Sequence, residues 1–279
     1  MPVTTQDLAL QVRRGVGDWG AYLMSLQTAM SDSATVIDPL PNSTEYLRAG
    51  QILNVDVEDI ELTEPLGSPS TVIRARRGTA ATTHALGAQV LLAPRFTNQK
   101  IVDALNEALR VLGGRVPNVQ VSTTITTAAN IEEYTLPTDC VAIYLVEMER
   151  STSGMYRPWR TWDHSFATGK LRLLGRFATG RAIRLTYHAD WTELDWDTAD
   201  VSVPSRYHGF LVDYAIGDLL LWEATQKAAV VGAATGDSSS VRESLIAAQT
   251  LKSTAEAKLE RVAPPTRIVQ LRDKRSQRL

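Results

Sequence analysis

The longest helical pattern of apolar and polar positions lies in the last third of the chain. Apolar side chains recur there every three or four residues, and a polar turn around Gly236 interrupts them once. Pro204 favours the start of a helix, and Pro264 favours a stop because proline donates no backbone hydrogen bond. The pattern therefore predicts two helices, at 205–231 and 239–262.

The first of these helices is apolar on more than one side. Phe210 and Tyr214 lie on one side, whereas Val212, Ile216 and Leu220 lie on the other. Such a helix should need a packing partner beyond a single core. Two interpretations stay open, namely an ordinary helical hairpin within one chain and a helix pair that also packs against other subunits.

The N-terminal third has the period of strands. Short β-branched runs separated by Pro, Gly and Ser cover residues 34–94, which predicts a small β-domain within 1–95. Before it, the apolar positions between Thr4 and Met30 flank the glycine-rich run Gly15–Gly20. A short helix is expected after these glycines.

The middle of the chain combines one helix with strands. An amphipathic helix is predicted at 97–112, with Asn98 as its cap, and strands are predicted over 117–190. Within that region, the runs Leu171–Phe177 and Arg181–Tyr187 predict a hairpin with one apolar side.

The predicted fold class is α+β. A small N-terminal β-domain is followed over 96–262 by a helical-bundle core with an inserted antiparallel β region. An extended C-terminal tail, 263–279, completes the chain.

Charge is distributed unevenly along the chain. The net charge is −2 and the pI is about 6.1, which argues against a dedicated nucleic-acid-binding protein. The segment 267–279 carries five basic residues and one acid, so it is +4 and the remaining chain is −6. The single cysteine, Cys140, excludes an internal disulfide and suits a reducing compartment. No signal peptide or apolar run of membrane-spanning length is found, so we expect a cytoplasmic product.

One glycine pattern suggests an enzyme. Gly15–Gly20 has the spacing of a dinucleotide-binding loop, and Asp38 follows at about the distance of a ribose-binding carboxylate. However, Asp18 would lie near the pyrophosphate, and Trp19 crowds a loop that needs small residues. A glycine-rich connection is the favoured interpretation, and a nucleotide-binding enzyme is the alternative of another class.

No other motif predicts chemistry. The sequence lacks the usual zinc, phosphate-loop and nucleophile-elbow motifs, so no catalytic residue, metal ion or cofactor is predicted. His84 is interpreted as a hydrogen-bonded structural residue rather than a ligand or a base. We expect a protein that is not an enzyme.

Two stretches carry a resemblance to known proteins. Ala49–Leu53 followed by Arg76–Val90 resembles a small β-module of structural proteins of tailed bacteriophages, and Gly78 and Gly87 suit turns with positive φ. The order of a helix containing Ile101–Leu109, strands and a final helical pair is similar to head-to-tail adaptor proteins, also called head completion or neck connector proteins, of these phages.

The resemblance implies a function. It implies a virion structural protein that forms a ring, of twelve subunits, between the portal and tail-side neck proteins such as a stopper or tail terminator. The ring would join head to tail and extend the channel, with genomic double-stranded DNA passing through the lumen without sequence recognition. Residues 96–262 would be the adaptor core. The protein would assemble in the host cytoplasm without a membrane and remain in the virion neck.

Two sets of residues would make the contacts. In the adaptor family the C-terminal end docks onto the portal, which implies Arg267, Ile268, Val269, Leu271, Arg272, Lys274, Arg275 and Arg278. Packing between subunits is expected from Tyr207, Phe210, Leu211, Tyr214, Leu221, Trp222, Leu245, Leu251 and Leu259. A stopper or tail-side connector, with the β-module as plug or docking surface, is the alternative within the phage neck.

Overall fold

The protein combines helices with antiparallel sheets, which confirms the predicted α+β class. The computed structural model describes residues 3–18, 23–37, 48–64, 70–92, 94–150, 154–165, 167–175, 177–234 and 239–262. They form two compact units, a first unit of 3–110 and 193–262 and a second unit of 111–192. The predicted domain division between residues 95 and 96 stays a prediction.

An antiparallel six-stranded sheet occupies the early part of the first unit. Its core consists of buried aliphatic side chains, among them Leu53, Ile60 and Val90. The strand order is β1-β6-β3-β4-β5-β2. The strands are β1 (Leu23–Ser25), β2 (Val36–Ile37), β3 (Ile52–Val55), β4 (Glu58–Leu62), β5 (Ser70–Arg76) and β6 (Gln89–Leu92).

Tight turns set the register of this sheet. β3 and β4 pair with Val55 opposite Glu58, and Asp56 between them has a φ of 49°. Gly78 and Gly87 have φ values of 82° and 83°, which confirms the turns predicted at both glycines.

Four α-helices form in the described residues. Both C-terminal helices appear close to their predicted bounds, and the helix predicted at 97–112 continues through two glycines to Arg115. The helices are α1 (Thr5–Gly15), α2 (Asn98–Arg115), α3 (His208–Ala234), which follows a 3-10 turn at Ser205–Tyr207, and α4 (Ser239–Val262).

The prediction of a helix after Gly15–Gly20 was wrong, because α1 comes before this run and ends at its first glycine, Gly15. Thr4 caps α1 by accepting a hydrogen bond from the Asp7 amide at 3.1 Å, while the Asp7 carboxylate accepts from the Thr4 amide at 3.0 Å. Beyond the glycines, β1 pairs with β6, with Leu23 opposite Leu91. That partner lies far along the chain, where local periodicity cannot show it.

Helix α3 has packing partners on two sides within the first unit. A Cβ atom on Gly15 of α1 would overlap Ile216, so a glycine allows α1 and α3 to approach closely. On the α4 side, a Cβ on Gly217 would lie 2.7 Å from Lys252 Cγ and 3.4 Å from the Ala248 oxygen. The second partner predicted from the apolar pattern of α3 is thus present in the same chain.

The second unit contains two antiparallel sheets that share one core. The four-stranded sheet has the order β10-β9-β13-β7, and the three-stranded sheet has the order β11-β12-β8. Buried residues of both sheets, including Tyr134, Leu171 and Ile183, pack together. The strands are β7 (Asn118–Thr126), β8 (Glu133–Thr135), β9 (Cys140–Glu149), β10 (Tyr156–Pro158), β11 (Trp162–Ser165), β12 (Lys170–Leu173) and β13 (Ala182–Ala189).

The hairpin predicted from Leu171–Phe177 and Arg181–Tyr187 was wrong. β12 pairs with β11 and β8, whereas β13 pairs with β7 and β9 in the other sheet. β13 alternates strictly between half-buried and buried positions. Its buried side therefore faces the core shared by the two sheets, and each strand finds its neighbours elsewhere in the chain.

Candidate assembly surfaces

The structure places the nine predicted packing residues in different environments. Leu221 and Leu245 are half-buried, and Trp222 and Leu251 are 42% and 43% exposed. Five others, which the sequence also assigned to subunit contacts, are buried in the first unit: Tyr207, Phe210, Leu211, Tyr214 and Leu259. These five side chains fill the chain's own core, in agreement with a helical hairpin inside one chain. Packing between subunits stays a prediction.

Several apolar side chains of α3 and α4 remain open to solvent. Besides Trp222 and Leu251, these exposed helical positions are Val230, Ile246 and Val262, with exposures of 69%, 54% and 50%. Ile246 was not among the predicted contact residues. It lies five residues after buried Val241 and two residues before buried Ala248, and this spacing could have placed it on the outer face of α4. A single exposed apolar residue needs no explanation, but a group on one helix pair is typical of an interaction surface.

Trp222 is exposed yet held in place. Its ring meets the Phe96 ring edge to face at 6.3 Å between centroids, and Lys100 Nζ lies 4.6 Å from the Trp222 centroid. Aromatic and cation–π contacts of this kind fix a side chain before a partner arrives. A tryptophan whose ring is already ordered would lose less side-chain entropy if another chain covered it.

A buried charged cluster lies at the start of β4 in the first unit. The Glu58 carboxylate has no solvent exposure and accepts hydrogen bonds from Arg74 Nε at 2.7 Å and Arg74 Nη2 at 2.6 Å. Backbone amides of Ala75 and Thr82 donate to it at 3.0 and 3.1 Å. Burial alone would raise the pKa of Glu58, but these donors and His84 outweigh it and lower the pKa to about 2.

His84 completes the cluster from the other side. Its Nδ1 lies 2.7 Å from Asp56 Oδ2 and its Nε2 lies 2.9 Å from Glu58 Oε2, while its side chain has no solvent exposure. Burial opposes a charged ring, yet hydrogen bonds and attraction from Asp56 and Glu58 outweigh it, so the pKa of His84 is raised. With a carboxylate at each nitrogen, both nitrogens donate and the ring is an imidazolium. The interpretation of His84 as a hydrogen-bonded structural residue agrees with these contacts.

The raised pKa of His84 predicts a pH dependence of stability. The charged form stabilises the folded chain fully below the unfolded histidine pKa of about 6.5, and this contribution is lost as pH rises through the higher folded-state pKa. Glu58 stays ionised throughout, since its pKa is about 2. We expect the free energy of unfolding, measured by urea titration, to fall as the pH rises above about 6.5.

A variant isolates the histidine in this pH profile. His84→Gln keeps a hydrogen-bonding side chain but has no charge to lose, so its unfolding free energy should be lower and should fall less over the alkaline range. An identical alkaline decline in the variant and the natural protein would show that another group is responsible.

The polar cluster continues into the helices of the first unit. Asn98, at the start of α2, accepts from Arg13 Nη2 through Oδ1 and donates to the Asp56 carbonyl at 2.5 Å, while Asn54 Oδ1 accepts from its amide at 3.2 Å. Thr97, and not Asn98 as predicted, caps the helix by accepting from the Lys100 amide at 3.1 Å. Asn98 instead connects strand β3, helix α1 and helix α2.

The geometry of Gly15–Gly20 differs from that of a dinucleotide loop. Such a loop follows a strand and opens a helix, whereas Gly15 ends α1 and packs against Ile216. The Asp18 carboxylate pairs with Arg13 Nη1 at 2.6 Å, and both side chains are only 6% exposed. Trp19, Gly20 and Asp38 lie outside the described residues. Within the described part of the run, Gly15 therefore has a packing role, which the sequence did not predict.

The predicted portal contacts lie outside the described residues. This set is the tail group Arg267, Ile268, Val269, Leu271, Arg272, Lys274, Arg275 and Arg278. Within the parts of the chain that are described, no group of three or more His, Cys, Asp or Glu side chains is arranged to hold a metal ion. Among the described helices, none has both the length and the apolar character needed to cross a membrane.

Comparison with known proteins extends these observations. No curated protein matches the chain. The family model described as SU10 adaptor protein matches residues 78–264, which is more than half of the 279 residues. The matched region begins at Gly78, includes the whole second unit, and continues through α3 and α4. By this match, the chain belongs to the SU10 adaptor protein family.

Proposed function

We propose that this phage adaptor-type chain is a virion structural protein that forms a ring between the portal and the tail-side neck proteins. The ring joins the head to the tail and extends the DNA channel, so that double-stranded DNA passes through its lumen without sequence recognition. The observation that carries the proposal is the family match over residues 78–264. Twelve subunits would form the ring, assembled in the host cytoplasm and retained in the neck.

The same proposal assigns parts of the chain to roles. Residues 1–95 are proposed as an N-terminal β-domain, and 96–262 as the helical-bundle adaptor core. In this arrangement, contacts between subunits use the exposed helical positions Trp222, Ile246 and Leu251 rather than the buried ones. Trp222 supports this role because its ring is already oriented by Phe96 and Lys100.

The tail is proposed to dock onto the portal by ordering on contact. Its charge of +4 arises from five basic residues against Asp273, and Ile268, Val269 and Leu271 are interleaved with them. A segment this short cannot bury enough apolar surface to fold alone. Docking would therefore offset the loss of chain entropy by apolar burial and by charge pairing with an acidic groove on the portal.

Deleting Arg267–Leu279 is expected to abolish portal binding while the folded units keep their stability. The reason is that α4 ends at Val262, five residues before the deletion, so the helices lose no contact in the described structure. Purified full-length and truncated proteins would be mixed with portal assemblies, and the complexes measured by sedimentation and imaged by electron microscopy. An unchanged melting temperature would show that the truncated chain is folded.

Two variants of equal length separate the causes of tail binding. Replacing Ile268, Val269 and Leu271 by Ser removes apolar burial and keeps the charge, whereas replacing the five basic residues by Gln removes only the charge. Added salt should weaken portal binding by the Ser variant more than portal binding by the Gln variant, since only the Ser variant binds wholly through charge. Full portal binding by the truncated chain would reject the tail assignment. A ring that binds tail-side neck proteins but no portal would favour the stopper or tail-side connector.

A further inference from the structure

Strand β7 differs from every other sheet edge in the described structure. It has nine residues and lies at one end of the four-stranded sheet, with β13 as its partner on the other side. The remaining edge strands have two to four residues: β1, β2, β8, β10 and β11. Short edges are a common protection against unwanted pairing. β7 lacks that protection.

The composition of β7 also favours pairing. The strand reads Asn-Val-Gln-Val-Ser-Thr-Thr-Ile-Thr and contains no charge, proline or glycine. Natural edge strands usually carry a lysine, a proline or an inward charge that discourages a second chain. Val119 and Val121 point to one face and are 52% and 60% exposed. Among the described strands none pairs with the outer edge of β7, so this edge offers backbone donors and acceptors beside an apolar face.

A bulge limits the regular part of the edge. Ile125 pairs with Ile183 and Ser122 pairs with Leu185, so Thr123 and Thr124 together oppose a single residue of β13. The Ser122 and Thr124 hydroxyl groups, whose oxygens lie 2.9 Å apart, form a hydrogen bond with each other at this bulge. The regular edge is thus Asn118–Ser122, and Gln120 is its midpoint.

We propose that two copies of this protein pair through β7 in antiparallel register about a two-fold axis at Gln120, which joins their four-stranded sheets. In that register Val119 lies opposite Val121 of the partner subunit, and Asn118 lies opposite Ser122 of the partner subunit. Both valine pairs then bury apolar surface on the same face.

Charge favours a second copy of the protein, rather than the C-terminal tail, as the chain that pairs with the edge of β7. Pairing β7 with itself places no like charges opposite each other, because the strand has none. Residues 111–192 contain nine Lys and Arg and seven Asp and Glu, so they carry +2, the same sign as the tail at +4. The tail would approach this unit against a net repulsion, whereas the neutral edge meets its own copy without one.

The small size of the contact determines how strong a dimer the experiments should detect. A pair of five-residue edges covers less than the roughly 800 Å² per partner of a standard interface, so the dimer should be weak and dependent on concentration. A two-fold contact closes on itself and cannot propagate into a ring. The proposed dimer therefore belongs to the free protein and not to the assembled ring. A negative test of the dimer would leave the proposed ring function intact.

Cysteine trapping tests both the contact and its register in the full chain. In a Cys140→Ser background, Gln120→Cys should form a disulfide-linked dimer under mild oxidation, since residues opposite each other on the axis have nearby Cβ atoms. Asn118→Cys and Ser122→Cys should each fail to link alone, but a mixture of the two proteins should link. Val141→Cys, which is 44% exposed on β9 of the same sheet, is the matched control for random collision.

A variant without cysteines gives an independent readout. Val121→Lys should remove the concentration-dependent dimer in sedimentation, because each lysine would lie opposite Val119 of the partner subunit and the two like charges would be diagonal neighbours on one face. The proposal is overturned if Gln120→Cys links no faster than Val141→Cys, or if Asn118→Cys links alone. It is also overturned if Val269→Cys in the tail links to Gln120→Cys in preference to the register pair, which would assign the edge to the tail.

Discussion

Replacing Glu58 by Gln is expected to lower the free energy of unfolding by about 3–5 kcal/mol, since it breaks a buried ion pair from one side. The amide keeps the shape of the side chain but loses the charge that Arg74 and His84 share. Arg74 is 8% exposed and His84 has no exposure, so neither cation can turn to water instead. The loss should appear in urea unfolding and as faster hydrogen exchange at the Ala75 and Thr82 amides, which donate to Glu58.

The matched control is Glu61→Gln on the same strand. Glu61 pairs with Arg76 at 2.5 Å, but their side chains are 22% and 47% exposed. Surface pairs of this kind contribute about 1 kcal/mol or less. Equal losses in the Glu58 and Glu61 variants would contradict the view that the buried cluster, rather than charge on β4 in general, stabilises the sheet.

Replacing Arg13 by Met is expected to destabilise the first unit by about 3 kcal/mol, because it leaves buried acceptors without their donor. Arg13 is 5% exposed and donates to the Phe96 carbonyl at 3.0 Å as well as to Asp18 and Asn98. Asp18 keeps a weaker bond from the Arg95 amide at 3.3 Å, which places the loss at the low end of the range for buried pairs.

The neighbouring residue supplies the control for this substitution. Arg14 lies on the same helix but is exposed, so Arg14→Met should change the unfolding free energy by about 0.5 kcal/mol or less. Calorimetry of both variants would measure the difference. If Arg14→Met were as damaging as Arg13→Met, the effect would come from helix α1 itself and not from the buried contacts of Arg13.

Helices with a continuous apolar period could be predicted from the sequence alone. The pattern in the last third placed α3 and α4 within a few residues of their observed ends, because the period of a helix relates residues that are close together in the sequence. The same pattern did not show which residues are buried. Phe210 and Leu251 are both apolar positions of this pair, yet Phe210 is inside the chain and Leu251 is open.

The apolar pattern could not predict contacts between residues that are far apart in the sequence. No local pattern marks Arg13 as buried, but its hydrogen bond to Asn98, which lies 85 residues further on, makes it part of the core. His84 was recognised as structural, whereas its carboxylate partners Asp56 and Glu58 were not, because they lie 28 and 26 residues earlier in the chain. A buried ionic contact leaves no local period, so no pattern in the sequence marks it.

The two units also differ in how they can form during synthesis. The second unit uses one continuous stretch, 111–192, whereas the first needs 3–110 together with 193–262. Gly15 of α1 cannot contact its partner Ile216 until synthesis has entered the last quarter of the chain. On a ribosome that works from the N-terminus, the second unit can therefore complete its sheets before the first unit closes. A product that stops short of α3 would have a complete second unit, but its α1 would lack the partner that packs against Gly15.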